Sequence, residues 1–267
     1  MNEEVDNAVD KILALIERKK FKKAEKRLAE LYSKYPNYHM VQYAMGALFA
    51  FKGQNDQAIS HLKKAVDIYP NFAEAYYNLG VVYKKNLDVP NMVKYLEKAV
   101  DMSDADSDIH RQAKILLNSV EDIIREQSGT NLETYIRAQE QFKLGVEFME
   151  RNEWKKAIHA FSASARIVNT MPPVYGNMAI CHAHLGNKSE ALAALDRALE
   201  LEPQYELAIV NRKIIQSLPE GEKLGDKIKM VEYYKEFPMK NRSYIQYVIE
   251  EGLRKLNFKI PNDVQRV

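Results

Sequence analysis

HMVQYAMGALFAFKGQNDQAISHLKKAVDIYPNFAEAYYNLGVVYKK, residues 39–85, carries the pattern that decides the fold. Gly46 and Gly80 in it stand 34 residues apart. Working outward, Ala24 and Ala58 keep the same interval, as do Pro36 and Pro70, which close the apolar stretches LYSKY and VDIY. Ala157 and Ala191 repeat it farther on, and so do Asn177 and Asn211, while Pro203 closes LELE in the phase of that second array. One spacing recurring at independent positions is the mark of an internal repeat.

Each recurring position has a physical reason. A Gly in a first helix lets a second helix approach closely, and an Ala in the second helix does so from the other side. Leu and aromatic residues fill the space around these near-contacts. Gly53 and Gly186 sit where a first helix ends, a place that favours a left-handed cap. The prolines stop second helices and turn the chain into the next pair.

The residues that carry the spacing resemble the tetratricopeptide repeat. Met45, Gly46, Phe49, Gly53, Ala58, Leu62, Ala65 and Pro70 follow its pattern in one unit, and Tyr76, Leu79, Gly80, Tyr83, Leu96 and Ala99 follow it in the next. Leu144, Gly145, Phe148, Ala157 and Phe161 make another, followed by Tyr175, Met178, Gly186, Ala191, Leu195, Ala198 and Pro203. The resemblance implies an all-α, right-handed superhelical solenoid of antiparallel helix pairs, stabilised by stacking because no single pair buries its apolar face alone. There are departures: Lys11 and Ile12 stand where Leu and Gly are expected, Met92 replaces a second-helix Ala, and Asp104 and Asn169 replace closing prolines.

Four segments follow along the chain. Residues 1–106 hold three units, the first an N-terminal cap. Residues 107–137 are too short for a full repeat and read as a helical spacer or degenerate repeat, with Ile109, Ala113, Leu116, Leu117, Val120, Ile123 and Ile124 at helical spacing. Residues 138–218 hold units four and five and the start of a degenerate sixth. Residues 219–267 carry two helical patterns, about 224–236 and 243–256, separated by Pro238. Tyr233, Tyr234, Phe237, Tyr244, Tyr247 and Phe258 make them aromatic. A C-terminal helical cap is the expectation there, with a self-association surface as the alternative.

Composition narrows the function classes. The 267 residues are 46% hydrophobic, which excludes wholesale disorder, and the formal net charge of +2 offers no one-signed field for nucleic acid or an anionic membrane. A single Cys rules out an internal disulfide framework. With a polar, acidic beginning and no apolar run near the ~20 residues that span a bilayer, the expectation is a cytoplasmic protein. No phosphate-binding loop, dinucleotide fingerprint or nucleophile elbow occurs. His182 and His184 lie two apart on a helix, on different faces, so they make no chelating pair. Neither catalysis nor a cofactor nor a metal is expected.

The resemblance also implies where a ligand goes, since first helices of this family line a concave groove that holds an extended peptide. The positions it maps to are Tyr43, Tyr77, Asn78, Phe142, Lys143, Asn177 and Asn211. Asn can pair with both the N–H and the C=O of an extended chain, and the aromatic residues supply apolar pockets. The expected function is thus a protein-interaction scaffold. A structural or self-associating subunit, and an accessory module of a partner enzyme, remain as alternatives. The relatives that grip acidic chaperone tails need Lys and Asn in the first unit, where Val9 and Leu13 stand, so that partner class is not expected.

Overall fold

The computed structural model describes residues 2–86 and 88–224. The 225–267 part of the expected C-terminal cap, with all of its named aromatic residues, lies outside the described residues. Among the described residues there are twelve helices and no strand, so the fold is all-α and of the tetratricopeptide-like solenoid class. The chain divides into two units, the first ending at Val120 and the second beginning at Glu121.

The first unit contains α1 (Glu3–Glu17), α2 (Phe21–Lys34), α3 (His39–Phe51), α4 (Asn55–Ile68), α5 (Ala73–Lys85) and α6 (Val89–Asp101). The unit boundary falls inside α7 (Asp108–Ser128). The second unit contains α8 (Leu132–Glu150), α9 (Trp154–Ile167), α10 (Pro172–Leu185), α11 (Lys188–Leu201) and α12 (Glu206–Ser217).

Within each pair the contact is as close as the glycines allow. A Cβ placed on Gly46 would come within 2.6 Å of Leu62, one on Gly80 within 2.7 Å of Leu96, and one on Gly145 within 2.6 Å of Phe161. The second-helix alanines Ala24, Ala58, Ala157 and Ala191 are fully buried, and Met92 is equally buried where it replaces one of them. Ser164 is buried too, and its hydroxyl donates to the Ala138 carbonyl at 2.8 Å, which ties α9 to α8 and satisfies the one polar group there.

The helix ends repeat as faithfully as the core. α2, α4 and α11 each stop two residues before a proline, Pro36, Pro70 or Pro203, because the residue preceding proline is driven out of helical conformation. The turns from first to second helix close by one motif. Lys20, Gln54, Glu153 and Asn187 each donate a backbone N–H five residues back, to Leu15, Phe49, Phe148 and His182, at 2.8–2.9 Å. This closure needs a left-handed residue just before the donor. Gly53 and Gly186 provide it at φ 75° and 81°, but Lys19 and Asn152 hold the same place at φ 55° and 57°. The geometry therefore persists where the glycine is missing, at a cost for a side chain in left-handed backbone.

Two substitutions test this account. Gly80→Val should destabilise the first unit by about 2 kcal/mol through overpacking against Leu96. Lys19→Gly should stabilise it by about 1 kcal/mol by relieving the left-handed strain. Thermal and urea unfolding followed by circular dichroism measure both, and a Gly80→Val chain as stable as the parent would contradict the close approach of α5 and α6.

Candidate functional site

First helices carry the seven expected site residues, and the structure distributes them unevenly. Tyr43, Tyr77 and Asn78 lie in the first unit, on α3 and α5, and all three are buried. Asn78 Nδ2 donates to the Tyr43 hydroxyl at 2.9 Å, which bonds successive first helices to each other. Tyr43 also packs on Phe72 with ring centroids 4.9 Å apart, and burial pushes its phenol well above the ordinary range. Two further groups on α5 feel the same dry surroundings. Burial raises the Glu74 carboxyl, and burial together with the charge of Lys85 lowers the Lys84 ammonium to about 8.

The second unit presents the other four. Phe142 on α8 is half-buried against Phe161, 5.5 Å between ring centroids, and Lys143 beside it is exposed. Asn177 on α10 and Asn211 on α12 are both 0% exposed. Neither amide nitrogen nor amide oxygen of either residue has a hydrogen-bond partner. That contrasts with Asn78, whose nitrogen is used by Tyr43 and whose oxygen alone is left over. Leaving a buried polar group unpaired costs about 1–3 kcal/mol, so two whole amides in this state ask for a reason.

The reason is legible 35 residues upstream. Asn78 meets Tyr43, 35 positions before it. The residue 35 before Asn177 is Phe142, and the one 35 before Asn211 is Gly176; neither side chain has a hydrogen-bonding group. Reading the three Asn residues as equivalent lining positions missed this distinction. The signal that separates them was in the sequence, in the pairing of each Asn with the residue one repeat and one position earlier.

Other polar and reactive groups find ordinary structural places. Cys181 on α10 is buried, and that burial pushes its thiol up to about 12. His184 stacks on Trp154, the first residue of α9, with centroids 3.9 Å apart and planes 1° from parallel. His61 stacks on Phe49 and shares a 2.7 Å hydrogen bond with Gln42. Among the described residues, no three His, Cys, Asp or Glu side chains are grouped to hold a metal ion. Among them too, no helix is long and apolar enough to cross a membrane.

Comparison with known proteins places the repeats. A family model described as TPR repeat matches residues 46–86, and two described as tetratricopeptide repeat match 73–106 and 172–205. Among solved structures the chain is similar to the TPR domain of P58(IPK), at 14% identity and a TM-score of 0.41, over 80% of this chain and 64% of that one. This chain therefore spans less than two thirds of that relative. It is also similar to YrrB, described as a TPR protein with an unusual peptide-binding site, at 19% identity and a TM-score of 0.38, over 77% of this chain and 90% of that one. A third is the complex of the TPR2AB domain of yeast Sti1 with pHSP90, at 20% identity and a TM-score of 0.36, over 80% and 83%.

The dry environments of Lys84 and Cys181 can be measured. Between about pH 8 and the ordinary lysine value of 10.5, Lys84 is largely neutral when folded and protonated when unfolded, so stability rises with pH across that window. Lys84→Met should accordingly stabilise the chain below pH 8, and the gain should vanish above pH 10.5; a pH-independent difference in melting temperature would contradict this. Cys181 should resist a thiol-reactive disulfide reagent at pH 8 in the folded chain and react fully once it is unfolded.

Proposed function

This chain is a tetratricopeptide-repeat protein, a family of protein-interaction scaffolds, and we propose that it binds an extended peptide along the first helices of its second unit. The observation that carries the reading is the pair Asn177 and Asn211, buried, 34 residues apart on α10 and α12, with all four amide atoms unpaired. An Asn amide offers one acceptor and two donors, the complement of a peptide group in an extended chain. Rotation of each side chain toward the groove exchanges an unsatisfied amide for a paired one, so the peptide collects free energy that the empty protein forgoes. Phe142 and the exposed Lys143 flank the site on α8 and supply an apolar and a cationic contact.

The first unit fits a supporting role. Tyr43, Tyr77 and Asn78 are buried, and Asn78 is already engaged by Tyr43, so these residues act as a strut between repeats. A partner recognised through an acidic tail by a carboxylate clamp is disfavoured by Val9 and Leu13. Both are buried in the core face of α1, where such a clamp needs polar side chains. The near-neutral charge argues against nucleic acid and membrane surfaces as partners.

Peptides selected on the purified chain from a random display library, then measured by titration calorimetry, test the proposal. Asn177→Ala with Asn211→Ala should weaken a selected peptide by about tenfold or more, the value of two lost hydrogen bonds. Asn78→Ala should leave affinity unchanged while lowering stability. Phe142→Tyr places a hydroxyl 35 residues before Asn177, as Tyr43 stands before Asn78. It should raise stability by about 1 kcal/mol and weaken the peptide. Unaltered affinity in the double Asn variant would overturn the reading.

A further inference from the structure

Beyond Ser217 the degenerate sixth repeat does not proceed to a second helix within the described residues; residues 218–224 turn back onto the fifth repeat instead. Four contacts hold the turn. Lys188 Nζ donates to the Leu218 carbonyl. The Gly221 carbonyl oxygen lies 2.7 Å from where a Cβ on Gly186 would sit, so only glycine fits there. The Leu224 N–H donates to the Ala183 carbonyl at 2.9 Å. The Leu224 side chain is 4% exposed and belongs to the buried cluster that includes Ile180, Cys181 and Ala183.

This arrangement fixes a direction. A segment that capped the end of the repeats would leave Ser217 and cover the outer side of α12. The chain does the opposite: by Leu224 it has returned to the C-terminal end of α10, while Val210 on α12 stays 44% exposed. We propose that residues 225–267 continue in that direction over the first helices α10 and α8 and occupy the second unit's own peptide groove, an inference that rests on the groove reading given above.

The occupant has the reach and the chemistry. From Leu224 there remain 267 − 224 = 43 residues. At roughly 3.3 Å per extended residue, fewer than ten of them cross two helix spacings of about 10 Å. The segment carries Tyr233, Tyr234, Phe237, Tyr244, Tyr247 and Phe258. Its aromatic rings suit the half-buried Phe142 and Val146 on α8, and its backbone and hydroxyls suit the unpaired amides of Asn177 and Asn211. A tethered occupant acts at an effective concentration of about millimolar, so it competes with any free peptide and lowers apparent affinity by the fraction of time the groove is filled.

Photo-crosslinking in the full chain tests this. p-Benzoylphenylalanine is placed at exposed Lys143 on α8, or at exposed Lys213 on α12 as the alternative site, and adducts are mapped by mass spectrometry. The expected result is an adduct from Lys143 to residues 225–267 of the same chain. Its yield should fall about tenfold in Leu224→Asp, the factor for loss of one buried leucine contact, while a selected peptide binds that variant more tightly. Adducts only from Lys213, adducts of doubled mass, or no adduct to 225–267 would each overturn the placement. If peptides bind but the Lys143 adduct is absent, the placement alone fails. If the adduct forms and no selected peptide displaces it, the groove reading fails and the placement stands.

Discussion

The structure depends on one constraint: the two helices of a pair can approach only as far as the smallest side chain between them permits. Gly46 under Leu62, Gly80 under Leu96 and Gly145 under Phe161 each leave less than 3 Å for an added carbon. That approach buries the alanines opposite and fills the interior with Leu and aromatic residues at close-packed density. The same spacing fixes where each first helix ends. The turn closure then appears even at Lys19 and Asn152, where the residue is ill suited to it. Backbone strain at those two turns is small beside the packing that imposes it.

Stacking pair upon pair brings first helices alongside one another, and there the constraint becomes polar. A buried Asn must find a partner or carry its desolvation as a standing cost. In the first unit Tyr43 meets Asn78, and the seam is closed. In the second, Phe142 and Gly176 stand in the corresponding place, and Asn177 and Asn211 are left with unpaired amides. A difference of one hydroxyl thus divides two arrays built on the same repeat into one that is internally satisfied and one suited to an external chain. The fold-back of residues 218–224 belongs to the second of these, since it brings the chain to the C-terminal end of α10.

Much of this was legible in the residues. The interval of 34, the small residues, the closing prolines and the left-handed glycines are local features. Each is enforced within one helix pair, where neighbours in space are near in sequence, so spacing alone located the repeats. The helix boundaries followed from proline and the caps for the same reason. Cys181 as a core residue was legible too, because it sits among apolar neighbours on its own helix, and its burial follows.

What only the tertiary structure decided lies across the seams. Tyr43, Tyr77 and Asn78 read as groove-lining positions by repeat register, yet all three are buried, because a register gives a face and the neighbouring repeat determines what covers it. Lys143 and Asn177 have the same standing in the repeat pattern, and one is exposed while the other is sealed. The turn of residues 218–224 back onto α10 could not be read from composition, which gave only a loop longer than the repeat requires. By itself the sequence determined the repeat, its period and its helices, because those rest on contacts inside one pair. The tertiary structure decided which polar groups are satisfied and which way the chain leaves the last helix. Both depend on side chains from different repeats meeting at hydrogen-bond distance.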